Sequence, residues 1–586
     1  MIKRYFFYIK KIFRFVPISS AIVLITFLMS GLMPAVLSFF TEKIINLVTF
    51  KSNLNLLYRS LFFLFLWYLF DGILKSVNQV ALNAGLFEKT NLILRKKLAE
   101  KCMEIPLLQF EKTEFLERLT NAKDSIASED FCMLYYNFVS NLKSSFTLLS
   151  VTVLLYTYHP LLSIFALLST IPIFINRMIR GKDFANLKSL QKGNIHRSKV
   201  YRSWLFQDPY QKELRLSNSQ KIIQGFWEEE EKERIKALKS FHRKDYLEYA
   251  ICEFIKSLGL LISIAFTFLL VFNQKIEVSM AAAALLAFQS MQSGATSLFQ
   301  GLGQGRYYLS RSDVLFEIFK YEKETITMEE NDENELRSCK VVFTYPQNKE
   351  FCLGPLDFVL EKNKSYAIVG SNGAGKSTIA KLLMGLYPPK TGVIQRKKEA
   401  FTPISYMPQK IHRFKMTVQE FFQMGNDERI SENQMLNMIK TFDLPLTPKT
   451  VLGREFKGVE LSGGEWQKLY LAKMALENKP FLIFDEPTSN IDPLQESKIY
   501  RWVLDKIKGK TSLIITHRLA LCPYVDEIIH MEEGKIIAKA HHQELLKIDP
   551  LYHEMVKEQG KWYGEDTKSL PKKENEDGKD DIHSLE

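Results

Sequence analysis

Residues 370–378 read Gly-Ser-Asn-Gly-Ala-Gly-Lys-Ser-Thr, and this short run decides how the second half of the chain is built. Closely spaced glycines let backbone N–H groups close around phosphates at a helix start, where the helix dipole favours an anion. Lys376 is spaced to reach the outer phosphates and the Ser377 hydroxyl to ligate Mg²⁺. Gly370, Ser371, Asn372, Gly373, Ala374, Gly375 and Thr378 complete the cradle. The flanks give the motif its context, with Ser365 to Val369 reading as the entering strand and Thr378 to Gly385 as the departing helix.

Two further groups follow in order. Phe481-Leu482-Ile483-Phe484 reads as a buried strand that ends in Asp485 and Glu486. Asp485 is placed to hold Mg²⁺ through water, and Glu486 to polarise a water attacking a terminal phosphate. Two acids at a strand end mean little alone; downstream of a phosphate loop they read as catalytic. Between them, Leu461-Ser462-Gly463-Gly464-Glu465 precedes a helical run, so Ser462, Gly463 and Gly464 offer backbone N–H groups to an anion. From Lys340 onward, short β-branched or aromatic runs alternate with helical patterns, as in an α/β nucleotide domain.

The first half has another character. With 586 residues, two or more domains are expected. Long apolar stretches crowd the first 300 or so residues, and each membrane helix needs roughly 20 of them. Six spans are expected near 18–40, 57–82, 137–157, 160–179, 252–273 and 278–300. The connections 83–136 and 180–251 are long, charged and helical in pattern. Their Lys and Arg residues, among them Lys89, Arg95, Arg180 and Arg202, place them in the cytoplasm by the positive-inside rule, with both termini. The net charge of +12 is explained by these membrane-facing loops rather than by nucleic acid.

Residues 1–17 read as an interfacial helix, or else as a basic flank of the first span. Residues 18–321 are assigned to the helical membrane domain, 322–338 to a charged linker, 339–563 to the nucleotide domain and 564–586 to a disordered tail. Asp71 and Lys75 share one helix face inside the second span. They either line a polar cavity or merely neutralise each other. The six cysteines, at 102, 132, 252, 339, 352 and 522, show no metal or disulfide spacing.

On these motifs the chain resembles the ATP-binding cassette transporters over nearly its whole length. The resemblance implies a six-span α-helical transmembrane domain fused to an α/β P-loop cassette domain, with ATP and Mg²⁺ as cofactors and multi-pass residence in the cell membrane. It assigns Tyr345 to adenine stacking, and Gln409 to sensing Mg²⁺ and the attacking water. Asp492 crosses a dimer interface, and His517 contacts the γ-phosphate. Ser462, Gly463 and Gly464 then bind ATP held by the opposite subunit, so a second copy or a related half-transporter is implied as partner. Glu465 stands where glutamine is commoner and puts an extra negative charge near that ATP.

Spans fused ahead of the cassette resemble exporters, with coupling helices expected near Phe110–Arg118 and Trp204–Leu216. The stretches 208–218 and 452–468 look like the branch that secretes lantibiotics and related peptides. A modified or hydrophobic peptide is therefore the first expectation for cargo, lipids or small amphipathic drugs the second, and a nucleotide-gated channel a remote third. The chain starts directly on its basic helix, so any leader peptide on the cargo is expected to be cut by another protein.

Overall fold

The computed structural model describes residues 2–50, 54–324, 328–330, 333–348, 351–489 and 491–563. The expected tail 564–586 lies outside them. The chain divides into two compact units, Met1–Glu104 with Leu116–Glu322, and Ile105–Phe115 with Lys323–Glu586.

The first unit is all helix. An amphipathic α1 (Ile2–Phe15) precedes α2 (Pro17–Thr49) and α3 (Leu54–Val80). A π-helical stretch, Ala81–Glu88, joins α3 to α4 (Lys89–Glu104). The segment expected at 1–17 is helical over Ile2–Phe15. Its Phe13 lies edge-on to Tyr135, and its Tyr8 hydroxyl donates to Asp313 at 2.6 Å. Next come α5 (Thr113–Ala127), α6 (Asp130–Tyr158), α7 (Pro160–Leu190), α8 (Lys192–Phe206), α9 (Asp208–Leu216), α10 (Gln220–Phe272) and α11 (Val278–Ile318). The charged connections are continuous with the spans: Leu54–Glu104 runs for 51 residues and Gln220–Phe272 for 53. Their polar parts are laced by ion pairs, such as Arg177 to Asp245 at 3.5 Å, Arg180 to Glu248, and Lys199 to Asp124.

Five helices among the described residues are long and apolar enough to cross a membrane, not six. The expected span 278–300 lies in α11, which is a helix but is rich in alanine, glycine, serine and glutamine. The physical reason is burial. Ala283, Ala287, Phe288, Met291 and Gly294 pack inward against neighbouring helices, so this helix needs small residues more than lipid-soluble ones. Gln292 spends its amide on Ser169 Oγ and Lys256 O, at 2.9 and 3.0 Å.

The second unit holds two sheets. A four-stranded sheet orders β1 (Glu329–Glu330), β5 (Thr391–Arg396), β2 (Glu335–Thr344) and β3 (Cys352–Glu361). A six-stranded sheet orders β10 (Lys535–Ala540), β9 (Glu527–Glu532), β4 (Ser365–Gly370), β8 (Thr511–Ile515), β7 (Phe481–Asp485) and β6 (Ile404–Met407). All its pairings are parallel except β9 with β10. Strands β4, β7 and β8 are buried along their whole length, which their continuous apolar runs anticipate.

The linker expected at 322–338 ends sooner. Strand β2 begins at Glu335, and Leu336 and Ser338 are buried because β2 pairs on both sides, with β3 and β5. The first expected coupling helix is shifted as well: a 3₁₀ turn occupies Leu107–Glu111, with α5 following from Thr113. Residues Ile105–Phe115 belong to the second unit. There Leu108 packs on the core that contains Phe343 and Tyr387, and the Tyr387 hydroxyl donates to Glu111 at 2.5 Å. The segment Trp204–Leu216 contains α9 of the first unit.

Gly85 shows how tightly the helices of the first unit approach. A Cβ placed there would lie 2.2 Å from Ser19 Oγ and 2.7 Å from Ser19 Cβ. Gly85→Ala is therefore expected to lower the melting temperature of the detergent-purified protein, and Ser19→Gly to restore it in the double variant.

Candidate functional site

The phosphate loop is carried by a central strand of the six-stranded sheet that is buried along its whole length. β4 lies between β8 and β9, and the chain leaves it at Gly370 with φ +145. A Cβ at Gly370 would stand 1.9 Å from Met531 O, so only glycine lets the loop turn off the sheet here. The helix Lys376–Leu383 then begins directly after Gly375. Lys376 folds back over its own loop, its Nζ donating to Gly370 O and Ser371 O at 2.8 Å each. Burial pushes its ammonium below the usual lysine range, against the pull of Glu486, Glu532 and Asp485.

The parallel register brings the other groups to the same edge. Asp485 ends β7, and its Oδ1 accepts from Ser377 Oγ at 3.2 Å. Burial raises the Asp485 carboxyl, and the Ser377 hydrogen bond draws it back. Glu486 follows in a left-handed backbone conformation, φ +52, its N–H bonded to Ile515 O at 2.9 Å. That strained turn aims its carboxylate at His517, whose Nε2 lies 3.0 Å from Glu486 Oε1. Burial lowers the His517 imidazole, the Lys376 charge lowers it further, and Glu486 opposes both. A neutral ring then donates its Nε2–H to Glu486.

One cleft of about 370 Å³ is lined by Tyr345, Asn372, Gly373, Gly375, Lys376, Ser377, Thr378, Gln409, Glu486 and His517. Of the expected site residues, these come together. The Tyr345 hydroxyl shares a 3.1 Å hydrogen bond with Thr378 Oγ1, and its ring stands edge-on to Phe343 and Tyr387. Gly370, Ser371 and Ala374 complete the loop behind the wall; Ala374 is buried in the core.

Ser462, Gly464, Glu465 and Asp492 do not join them, while Gly463 also lines a neighbouring cleft with Gln409 and Glu486. All five line a different cleft, with Asp443 and Lys468. Glu465 is occupied there. Its Oε2 accepts from the Ser462 N–H and Oγ, both at 2.8 Å, while Ser462 Oγ accepts from the Glu465 N–H at 3.3 Å. This capping box opens the helix Gly463–Glu477, so the carboxylate stabilises a helix start.

The donor set suits Mg²⁺ held with a nucleotide. One hydroxyl and one carboxylate face each other at the loop, and Mg²⁺ commonly takes only one or two protein ligands beside phosphate oxygens and water. Among the described residues, no group of three or more His, Cys, Asp or Glu side chains converges on a metal position.

Sequence reasoning missed a clamp on the loop. Glu532, at the end of β9, accepts from Ser371 N at 3.0 Å and Ser371 Oγ at 2.5 Å. Burial raises this carboxyl, but the two Ser371 bonds and His530 outweigh it and leave it below the usual range. Behind it His530 is fully buried, its Nδ1 2.5 Å from Asp549 Oδ2 and its Nε2 3.5 Å from Glu532 Oε1. Asp549, placed just before the helix Pro550–Tyr563, also accepts from the Tyr552 N–H at 3.0 Å. Only the parallel pairing of β9 with β4 reveals this, since Glu532 lies 161 positions from Ser371.

Residues 353–489 match the family described as ABC transporter. Over 561 residues the chain is 26% identical to the subtilin transport ATP-binding protein SpaT of Bacillus subtilis, covering 90% of this chain and 89% of that one. It is 24% identical over 500 residues to the ATP-dependent lipid A-core flippase of Pectobacterium atrosepticum, covering 80% and 83%. In fold it is similar to a bacterial Atm1-family ABC exporter solved with ATP bound. The TM-score is 0.72 at 19% identity, over 92% of this chain and 98% of that one.

The fold and the cleft define an ABC-type ATPase joined to a helical membrane unit. With the matched cassette and the end-to-end likeness to transport proteins, the chain is an ATP hydrolase coupled to transmembrane transport, with ATP and Mg²⁺ as cofactors.

Removing the clamp is expected to act on nucleotide binding. Glu532→Ala leaves two donors of Ser371 unpaired and should raise KM for ATP about tenfold, with kcat nearly unchanged, in steady-state ATPase assays. A fall in kcat alone would assign Glu532 to another step.

Proposed function

We propose that this protein exports an amphipathic cargo, first of all a modified or hydrophobic peptide, by alternating access driven by ATP. The observation that carries the reading is the end-to-end similarity to a subtilin transport protein, which spans both the membrane helices and the cassette. The similarity to a lipid A-core flippase, nearly as long, favours lipid as the second reading.

In this reading two chains pair. The cleft at Ser462–Glu465 is apart from the phosphate loop within one chain, so a complete nucleotide site needs the 462–464 segment of a second subunit. Homodimer and heterodimer both satisfy that requirement. Both termini and the cassette face the cytoplasm, the side that supplies ATP and that the positive-inside rule assigns to the basic connections.

The residue roles follow from the cleft. Lys376 and the loop N–H groups bind the phosphates, and Glu532 keeps Ser371 in place. Ser377 and Asp485, with Gln409 nearby, would hold Mg²⁺, which would supply positive charge to offset that of the phosphates. Glu486 takes the proton of the attacking water, held in line by His517. Tyr345 offers its ring to the adenine, and Asp492 reaches toward the partner.

Lys376→Ala is expected to weaken ATP binding. Glu486→Gln should retain binding and lower turnover about 10²–10⁴-fold, as read by nucleotide binding and phosphate release on the purified protein. Because burial lowers His517, its ring stays neutral as the pH falls to about 6.5. The ATPase rate should therefore decline only below that value, and His517→Ala should remove this acid limb from the pH–rate profile.

Cargo is decided by mass spectrometry of medium and cells from the native host, with the wild-type chain or Glu486→Gln. A peptide lost from the medium and retained inside supports peptide export. Identical peptide profiles, with ATP turnover present in the wild type, overturn it in favour of lipid or small-molecule export.

A further inference from the structure

Among the charged residues of the apolar helices, Lys143 stands out. It sits on α6, six residues into the span expected from 137, and is half-buried beside α2. Its Nζ lies 5.6 Å from the Phe27 ring centroid. Gly31 of α2 makes the room: a Cβ there would come 3.1 Å from Lys143 O and 3.6 Å from its Cγ. Among the described residues, no carboxylate stands within ion-pair distance of Lys143. The carboxylate in electrostatic reach is Asp71 of α3, and it is already taken, held by Lys75 Nζ at 2.6 Å. The Asp71 side chain is 7% exposed and that of Lys75 68%, so the pair presents its cationic end outward.

The sum is one carboxylate against two ammonium groups. Lys75 stands seven residues before the end of the span expected at 57–82 and Lys143 six residues after the start of the one expected at 137–157, so the two are expected at similar depth. An unpaired ammonium in an apolar segment is costly, and such residues generally face a cavity or a binding partner. The surroundings supply a ring face and a neutral wall, but no counter-charge.

We infer that Lys143, with the Asp71–Lys75 pair, forms an anion site that receives the carboxylate or phosphate group of an amphipathic cargo. The inference rests on the export reading above and narrows it: the cargo carries a negative group next to its apolar part. Lys143 donates to the anion while Phe27 borders the chain beside it. Asp71 tempers the site by neutralising one of the two lysines. The aliphatic stems of both lysines cover apolar surface, as such side chains do at the edge of a membrane.

The test uses the full-length protein in phosphatidylcholine nanodiscs with three probes: dodecyl phosphate, an N-dodecanoyl tripeptide of uncharged residues with a free carboxylate, and the amide of that peptide. Equilibrium binding is measured for the wild type, Lys143→Gln, Lys143→Arg and Asp71→Asn. Wild type should bind at least one anionic probe more tightly than the amide. Lys143→Gln should weaken that binding about tenfold, the scale of one charge-assisted hydrogen bond. Lys143→Arg should keep it, and Asp71→Asn should tighten it. Equal affinities in wild type, Lys143→Gln and Asp71→Asn would overturn the inference, as would failure of wild type to bind either anionic probe. If Lys143→Gln does not assemble, the direction of the Asp71→Asn change decides alone. Preference for dodecyl phosphate points to a lipid-like source, and preference for the carboxylate to a peptide. ATP hydrolysis in the same discs is scored separately, so a protein that turns over ATP but ignores the anions refutes only this site.

Discussion

The parallel register of β7, β8, β4 and β9 is the constraint on which the nucleotide site depends. Ile368 pairs with Ile515 on one side and Ile529 on the other, and Asp485 pairs with Ile515. One edge of the sheet thereby collects the phosphate loop after β4, the acids at the end of β7, His517 after β8 and Glu532 at the end of β9. Parallel α/β sheets place ligands outside the carboxyl ends of their strands. A slip of one residue would turn each of these side chains to the opposite face of the sheet. The strands that carry these groups are buried apolar runs, so the site stands on the hydrophobic core of the second unit.

How far this was legible in sequence depends on whether a residue announces itself locally. The loop 370–378 and the pair Asp485–Glu486 carry their chemistry in adjacent letters, and the strands that deliver them read as short apolar runs. The clamp Asp549–His530–Glu532 does not: it is assembled from a strand end and a helix start, with no spacing rule connecting them to Ser371. The end of the linker failed for a related reason. Glu335 to Ser338 looks too polar for a core, yet alternate residues of a strand face opposite sides, and Leu336 and Ser338 take the inward ones.

The membrane unit shows the opposite bias. Hydropathy rewards residues that face lipid, and α3 is the clearest case, with only Ser60 and Asp71 buried. Helix α11 faces neighbouring helices, and small side chains there allow close approach. Gly301 is the sharpest instance, since a Cβ would lie 1.9 Å from Asn141 Oδ1. A helix selected for packing loses the apolar signature that marks a span, so the most enclosed helix is the hardest to recognise by composition.

The two clefts of one chain differ sharply in charge. The cleft around Ser462 carries the carboxylates of Asp443, Glu465 and Asp492 against the single ammonium of Lys468. Taken alone this is a poor receptor for a free anion, despite the helix start beneath it. Glu465 spends its charge on the capping box, which favours the helix but also competes with any phosphate for the Ser462 hydroxyl. An incoming phosphate therefore has to arrive already neutralised, on a lysine and a metal ion brought by another surface. The loop at Lys376 and Ser377 is a surface of that kind. Under the proposed two-chain reading, this charge balance favours a cleft that takes a phosphate only when it comes with its own counter-charges.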